Sequence, residues 1–267
     1  MGYSKISYDV DGPIATITLN DPATMNAAGI DTAEELSNAL ERAAGVARAT
    51  IITGTGRGFC SGANLGAGGM RKEAASDGAA SAFDAGAALD THYNPMILAM
   101  KEHPHPIVTA VNGAAAGVGC SIALMGDMII AAESAYFLQA FRRIGLVPDG
   151  GSTYLLPRMI GRARAMEMAL MGDKLPAGKA LEWGLVNQVV ADDALMGTAR
   201  ETAEKLATGP TQALSMIRSL IWDAEDTDFE GQLRKERVAQ RTAGRTADFR
   251  EGVSAFLQKR TAEFTGG

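Results

Sequence analysis

One carboxylate of the chain stands in an unusual setting. Asp149 lies within IGLVPDGGSTYLLPR (residues 144–158), where the only other charged residue is the final Arg158. An aspartate with an ordinary pKa of about 3.9 is a poor base toward a carbon-bound proton, but burial among apolar side chains raises that pKa toward the working pH. The apolar neighbours in the chain are Phe141, Ile144, Leu146 and Val147. The alternative is that Asp149 is the solvated residue of a Pro-Asp-Gly turn.

Two glycine-rich segments supply the second group that such chemistry needs. CSGANL (residues 60–65) and GAAAGVG (residues 113–119) each come after a short apolar run that is typical of a buried parallel strand. Small residues let the backbone approach a ligand closely, and two converging N–H groups form an oxyanion hole that stabilises an enolate oxygen. Each segment alone is explained as well by turns and close packing. Together with Asp149, the two segments favour the removal of a proton beside a carbonyl group.

Other catalytic chemistries fit these residues less well. The glycines at positions 54, 56 and 58 have G-x-G-x-G spacing, which is not the fingerprint of a nicotinamide-binding loop. Residues 58–62 match the cysteine form of a nucleophile elbow, but glycine-rich stretches replace the strand and helix that an elbow requires, so a hydrolase is disfavoured. Three histidines and two cysteines without a CxxC or HExxH motif predict no metal site.

The composition is that of a soluble globular protein. The chain has 267 residues, a net charge of −6, a pI near 5.2 and a mean hydropathy close to zero. An acidic chain without a basic stripe argues against nucleic acid as a partner. No apolar run reaches the roughly 18 residues that cross a membrane, and no signal sequence is recognisable before the first strand pattern. A cytoplasmic location without membrane contact is therefore expected.

The elements that must position these groups alternate between strand and helix. KISYDVDGPIATITLN predicts two strands joined by a tight turn, and buried strands follow at ATIITG and IVTAV. Helices dominate the C-terminal part, which together with the alternation predicts an α/β fold. We divide the chain into a core with the site at residues 1–190 and a helical C-terminal region at residues 191–267. The alanine-, serine- and glycine-rich segment from Met70 to Gly86 is interpreted as a mobile segment or loose helix beside the site.

The order of these motifs closely resembles the crotonase (enoyl-CoA hydratase/isomerase) superfamily over nearly the whole chain. The matching stretches are LNDPATMNA, GRGFCSGANL, PIVTAVNGAAAGVGCSIAL, IGLVPDGGSTYLLPR, EWGLVNQVV and EGVSAFLQKRTAEF. The resemblance implies a crotonase-like spiral of ββα units that binds an acyl-CoA thioester, with coenzyme A as part of the substrate and no separate cofactor. It also implies a homotrimer or a dimer of trimers, in which the C-terminal helices mediate trimerisation and cover the CoA.

The resemblance also assigns roles to individual residues. The N–H groups of Ala63 and Val118 correspond to the oxyanion hole, and Asp149 corresponds to a catalytic residue. Phe256 and Lys259 would contact the CoA of the same or an adjacent subunit. The full set of implied substrate or CoA contacts is Met25, Asn26, Ala27, Asn64, Leu65, Gly66, Gly117, Phe141, Phe256 and Lys259.

Two departures from the family pattern decide which reaction is expected. Hydratases of the family activate water with two glutamates, and the corresponding positions here are Ser121 and Phe141, which cannot exchange a proton at neutral pH. Asp149 then remains as the proton-moving group, which predicts an isomerase that shifts a double bond or opens a ring epoxide. The string around Asp149 most resembles the family's 1,2-epoxyphenylacetyl-CoA isomerases of phenylacetate degradation. Three alternatives stay open: an enoyl-CoA hydratase, a dehalogenase-like enzyme with Asp149 as nucleophile, and a non-catalytic acyl-CoA-binding protein.

Overall fold

The computed structural model describes residues 2–64 and 84–267, in which helices pack around two β-sheets. The strands are β1 (Ile6–Asp11), β2 (Ile14–Leu19), β3 (Ala49–Gly54), β4 (Gly58–Cys60), β5 (Ile107–Val111), β6 (Ala114–Ala116), β7 (Met128–Ala132), β8 (Tyr136–Leu138), β9 (Leu175–Pro176) and β10 (Gln188–Val190). Six of them form a sheet in the order β1-β2-β3-β5-β7-β10, and four form a smaller sheet in the order β4-β6-β8-β9.

The first two strands form the antiparallel hairpin that the sequence predicts. β1 and β2 pair from Ile6 opposite Leu19 to Asp11 opposite Ile14, and Gly12 in the turn has a φ of +57°. Glycine reaches a positive φ without a steric penalty, so the tight turn falls at this residue. The other strands of the larger sheet pair in parallel, β2 with β3, β3 with β5, β5 with β7 and β7 with β10.

The helices of the described residues follow the predicted alternation and then fill the C-terminal region. They are α1 (Ile30–Val46), α2 (Asn94–Glu102), α3 (Val118–Leu124), α4 (Ser152–Ile160), α5 (Arg162–Met171), α6 (Ala177–Trp183), α7 (Leu195–Ala207), α8 (Thr211–Ala224), α9 (Phe229–Ala243) and α10 (Ala247–Gln258). A π-helical turn at Leu89–Tyr93 precedes α2, and 3-10 turns lie at Pro22–Thr24, Ala140–Ile144 and Asp192–Ala194. The predicted α/β fold with a helical C-terminal region is confirmed.

The core of the fold lies at the centre of the larger sheet. All residues of β5 are buried, as are all of β3 except its last, which explains the nearly continuous apolar runs of both strands. α7 packs against β3, β5 and β7. Its buried residues Leu195, Ala199, Ala203 and Ala207 repeat every four positions, so mostly small side chains bring this helix close to the sheet. The division of the chain after residue 190 stays a prediction.

Two further sequence predictions concern residues 70–86 and membrane-spanning helices. Of the segment from Met70 to Gly86, predicted as a mobile segment or loose helix, residues 70–83 lie outside the described residues. None of the helices in the described ranges is long and apolar enough to cross a lipid bilayer.

Candidate active site

Three strands of the smaller sheet end at one edge and deliver the predicted site residues. β4, β6 and β8 run parallel, so their carboxyl ends lie on the same side of the sheet, where open α/β sheets bind their ligands. Residues 61–64 follow β4, Gly117 and Val118 follow β6, and the segment with Phe141 and Asp149 follows β8. The fold thereby brings together three segments that are far apart in the sequence.

Two glycines allow the first two of these segments to touch. Gly62 has a φ of +111° and Gly117 a φ of +53°, both in the region that favours glycine. A Cβ added to Gly117 would lie 3.6 Å from the Cα of Gly62, and one added to Gly62 would lie 3.2 Å from the carbonyl oxygen of Ala116. The backbones are therefore in direct contact, and the residues that follow each glycine, Ala63 and Val118, line the same cavity.

The N–H groups of Ala63 and Val118 are free to bind a ligand oxygen. Ala28 donates to the carbonyl of Gly62 at 2.8 Å and accepts from the N–H of Asn64 at 3.0 Å. Because successive peptide groups of an extended chain point in opposite directions, the N–H of Ala63 points away from Ala28. Val118 is the first residue of α3, and its N–H has no partner within the helix. Neither N–H has a hydrogen-bond partner among the described residues.

Asp149 lines the same cavity, whose volume is about 330 Å³. Its Oδ1 atom is buried and has no hydrogen-bond partner in the described part of the chain. Burial, and not a neighbouring charge, raises the pKa of this carboxyl from its ordinary value of 3.8 to about 6. Among the described lining residues, Asp149 is the only carboxylate. A group with this pKa is ionised at neutral pH and still basic enough to accept a proton.

The apolar setting of Asp149 differs in part from the one expected. Phe141 is 7% exposed and lines the cavity, as predicted. Ile144 and Leu146 also line it, although both are exposed in the single chain. Val147 is 79% exposed and does not line the cavity, so the expectation that it buries Asp149 is wrong. An apolar run in a turn does not reveal which of its side chains point inward.

The segment from Met25 to Ala27, predicted to contact CoA, runs beside the oxyanion segment without lining the cavity. The N–H of Ser61 donates to the carbonyl of Met25 at 3.0 Å, which joins the two segments. Met25 and Asn26 have φ values of +54° and +57°, so the chain reverses sharply at this point. The predicted contacts of this segment with CoA stay predictions.

The Asn26 side chain holds the loop that leads into β4. It is 2% exposed, donates to the carbonyls of Thr55 and Gly58 at 2.9 Å and 2.8 Å, and accepts from the N–H of Asp21 at 2.9 Å. Asn26→Ala would leave these backbone groups without their partner, so we expect the free energy of unfolding to fall by about 2–3 kcal/mol. Chemical denaturation measures this loss. The control Asn94→Ala, at an exposed position, should have a free energy of unfolding within about 0.5 kcal/mol of the wild type. An equally small loss for Asn26→Ala would show that the Asn26 side chain does not hold this loop.

The remaining predicted contacts fall into three groups. Asn64 lines the cavity together with the oxyanion residues. Leu65 and Gly66 lie outside the described residues. Phe256 is 83% exposed near the end of α10, Lys259 follows it at the surface, and neither lines the cavity of the single chain. Their contact with CoA stays a prediction.

The predicted site did not include three polar residues that line the cavity, Ser61, Tyr93 and Arg143. The Tyr93 hydroxyl donates to the carbonyl of Ala28 at 2.8 Å, and the Arg143 guanidinium donates twice to the carbonyl of Gly172 at 3.0 Å and 2.6 Å. Tyr93 ends a π-helical turn, a feature that often occurs at functional sites. The sequence LDTHYNP carries no periodicity that would have revealed this turn.

Neither cysteine competes with Asp149 as a reactive group. Cys60 and Cys120 are free and completely buried. Burial raises the pKa of the Cys60 thiol to about 11 and that of the Cys120 thiol to about 12, so neither forms the thiolate that a nucleophile requires. Within residues 2–64 and 84–267, no group of three or more His, Cys, Asp or Glu side chains is arranged to hold a metal ion.

Comparison with known proteins agrees with this geometry. The sequence profile described as enoyl-CoA hydratase/isomerase matches residues 9–267. The chain is 44% identical to the 1,2-epoxyphenylacetyl-CoA isomerase of Escherichia coli K12, over 96% of this chain and 97% of the relative. It is also 44% identical to a probable enoyl-CoA hydratase of Rhodobacter capsulatus, with both chains covered in full. The crystal structure of a putative enoyl-CoA hydratase/isomerase from Mycobacterium abscessus superposes with a TM-score of 0.89 at 34% identity, over 98% of this chain and 100% of that one.

The protein therefore belongs to the enoyl-CoA hydratase/isomerase family and has the crotonase fold, as the sequence motifs predicted. It is an enzyme of this family. The two relatives at equal identity are named for different reactions, an isomerisation and a hydration. The choice between these reactions depends on the residues of the site.

Proposed function

We propose that the protein is an acyl-CoA isomerase that moves a double bond in an unsaturated CoA thioester. The observation that carries the proposal is the Asp149 carboxylate, whose buried Oδ1 has no partner among the described residues and which lines one cavity with Ala63 and Val118. A base and two N–H donors are the groups that enolate chemistry requires: one removes the proton, and the other two stabilise the oxygen that becomes negative.

In the proposed reaction, the thioester oxygen accepts hydrogen bonds from the N–H groups of Ala63 and Val118. Asp149 removes a proton from C2, and the electron pair of the C2–H bond spreads over the thioester and the C3=C4 double bond as a dienolate. The protonated carboxyl then returns the proton to C4, which leaves the double bond between C2 and C3. Asp149 ends as the carboxylate with which it began. One carboxylate above one face of the planar dienolate is sufficient, and the reaction consumes no redox equivalent or separate cofactor.

Hydration is the second candidate, and the name of the Rhodobacter capsulatus relative supports it. It requires groups that hold and activate a water molecule. At the two positions where the family pattern has glutamates, this chain has Ser121, whose buried hydroxyl donates to the carbonyl of Asp149 at 3.0 Å, and the apolar Phe141. Neither side chain transfers a proton at neutral pH, so we favour isomerisation.

The acyl group of the proposed substrate is unsaturated or derived from an aromatic ring. Apolar side chains on the cavity wall, including Leu89, Phe141 and Leu146, suit such a group. The name of the Escherichia coli relative supports a ring 1,2-epoxide as one such substrate. In that case the same two N–H groups would hold the thioester while the epoxide opens toward an oxepin, which is also an isomerisation.

A homotrimer or a dimer of trimers in the cytoplasm is part of the proposal. The C-terminal helices α8–α10 expose many apolar side chains in the single chain, and large exposed apolar patches mark contact surfaces. Contact with a neighbouring subunit would cover this surface and bring Phe256 and Lys259 near an adjacent CoA. The most exposed of these side chains are Ile217, Ile221, Phe229, Val238, Phe249, Phe256 and Leu257.

Product analysis tests the proposed function. The purified protein should convert a 3-enoyl-CoA into its 2-enoyl isomer, while the hydration of crotonyl-CoA should be at least about 100-fold slower. Hydration at a comparable rate that survives Asp149→Asn would favour the hydratase. A trapped acyl adduct on Asp149 would show a dehalogenase-like nucleophile, and binding of acyl-CoA without any reaction would identify a non-catalytic protein.

The rate should follow the ionisation of Asp149. The base accepts a proton only as the carboxylate, and its pKa is raised to about 6. We therefore expect kcat/KM for isomerisation to rise about tenfold per pH unit below this value and to level off above it. A profile from pH 4.5 to 8 measures the midpoint. A rate already constant above pH 4.5 would show that the carboxyl has its ordinary pKa.

A further inference from the structure

Two buried serine hydroxyls hold the backbone of the turn that carries Asp149. The Oγ atoms of Ser121 and Ser152 lie 3.0 Å and 2.9 Å from the carbonyl oxygen of Asp149, and 2.7 Å from each other. Both serines are completely buried. The N–H of Ser152 also donates to this carbonyl oxygen, at 3.1 Å. Three groups that can donate a hydrogen bond therefore lie around one peptide oxygen beside the proposed base.

The two hydroxyls supply two protons for three contacts. Either both donate to the carbonyl of Asp149, or one donates to the carbonyl while the other donates to its neighbour. In every arrangement at least one hydroxyl donates to the carbonyl. The Ser121–Ser152 pair is thus a closed cluster whose polar atoms satisfy one another and the turn, and it leaves no hydroxyl for a bound water.

The two serines belong to the helices on either side of the turn. Ser121 lies in α3, the helix that begins at Val118, and its N–H donates to the carbonyl of Gly117 at 3.2 Å. Ser152 is the first residue of α4. The Ser121 hydroxyl, directly or through that of Ser152, therefore ties the peptide of the base to the helix that carries one donor of the oxyanion hole.

Close packing also limits the distance between α3 and the turn that carries Asp149. Gly150 has a φ of +57°, and a Cβ added there would lie 2.7 Å from the Cβ of Ser121 and 2.9 Å from its Oγ. The same added atom would lie 3.6 Å from Cγ2 of Val118. The space between Gly150 and α3 is too narrow for a side chain, so packing limits movement of the turn toward α3, and the hydroxyl bonds oppose its movement away.

We propose that Ser121 and Ser152 are positioning residues that hold Asp149 at the distance from the oxyanion hole that proton transfer requires. The inference rests on the proposed function, in which Asp149 is the base. A reacting group that is displaced by about 1 Å loses about 10²-fold in rate, so small shifts of this turn matter. Comparison with the family pattern showed only that a serine replaces a glutamate at position 121. In the proposed role, the Ser121 hydroxyl helps to position Asp149.

Alanine substitutions test the positioning role. In Ser121→Ala and Ser152→Ala we expect kcat to fall about tenfold, and in the double variant about 10²-fold, with KM within about threefold of the wild type. Folding should survive because the N–H of Ser152 still donates to the carbonyl of Asp149, and thermal melts check this. Ser215→Ala is the matched control: the Ser215 hydroxyl also donates to a backbone carbonyl, that of Thr211 at 2.9 Å, but away from the cavity. Its kcat should not change.

Two readouts separate positioning from a general structural role. Without the hydroxyls the turn relaxes toward water, so the pKa of Asp149, followed by NMR of ¹³C-labelled aspartate, should fall from about 6 toward 3.8. In an Asp149→Asn background, Ser121→Ala should lower the residual rate less than about twofold, because the serine acts through Asp149. An unchanged pKa of Asp149, or a full additional loss of rate in the Asp149→Asn background, would overturn the positioning role.

The outcomes also distinguish this inference from the proposed function. If the serine variants keep the wild-type kcat while Asp149→Asn is inactive, the positioning inference is wrong and the proposed function stands. If Asp149→Asn keeps full activity, the proposed function fails. The NMR titration then still decides whether the two hydroxyls fix this carboxyl: a fall in its pKa supports the positioning, and no change overturns it.

Discussion

Replacement of Asp149 by asparagine is expected to lower the kcat of isomerisation by about 10³-fold. The amide keeps the size of the side chain but cannot accept a proton, and general acid–base catalysis contributes effects of this order. No other carboxylate lines the cavity in the described part of the chain, so none stands ready to take over. Steady-state kinetics measures the loss. The Kd for acyl-CoA, measured by calorimetry, should change only a few-fold because the oxyanion hole is intact.

An exposed aspartate provides the matched control. Asp193 lies at the surface in the 3-10 turn before α7, and Asp193→Asn should keep the wild-type kcat. If Asp149→Asn also stays within about threefold of the wild type, Asp149 is not the base.

The second large effect is expected from removal of one oxyanion donor. Val118 is the first residue of α3, a position at which proline is tolerated in a helix because its N–H has no partner there. Val118→Pro should therefore keep the fold and delete one donor to the thioester oxygen. The expected loss is about 10²–10³-fold in kcat, or about 3 kcal/mol of transition-state stabilisation. Rapid kinetics with a 3-enoyl-CoA, together with a thermal melt, measures both the rate and the integrity of the fold.

Val118→Ala separates the backbone effect from that of the side chain. Alanine keeps the N–H and removes only the two methyl groups of a buried side chain, one of which, Cγ2, lies near Gly150. Its kcat should stay within about tenfold of the wild type, well above that of Val118→Pro. Equal losses in the two variants would show that packing, and not the N–H, is what matters at this position.

The parts of the fold that the sequence predicted are those that local patterns determine. In the hairpin, β1 alternates strictly between apolar and polar residues and β2 does so from Ala15 onward, and the buried strands β3 and β5 are nearly continuous apolar runs. The meeting of Ala63, Val118 and Asp149 in one cavity is a long-range property. The glycine-rich segments indicated it, and the resemblance to the family placed the residues.

Other features depend on distances that no local pattern encodes. The sequence around Val147 is apolar, yet its side chain points to solvent while that of Phe141 is buried. The Asn26 amide donates to two backbone carbonyls, those of Thr55 and Gly58, in the loop that leads into β4. The hydroxyl of Ser121 meets the carbonyl of a residue 28 positions later. The contact between Ser121 and Asp149 arises only once the parallel strands β6 and β8 have placed the segments that follow them side by side.

The central claim is that Asp149 removes the proton beside the thioester carbonyl, and the exchange of that proton with deuterated water tests it most directly. Phenylacetyl-CoA is a suitable probe, because its ring acidifies the C2 protons and it has no isolated double bond to move. Mass spectrometry should show that the wild type incorporates deuterium at C2, and that Asp149→Asn does so about 10³-fold more slowly at saturating ligand. Equal incorporation by the two proteins would contradict the account.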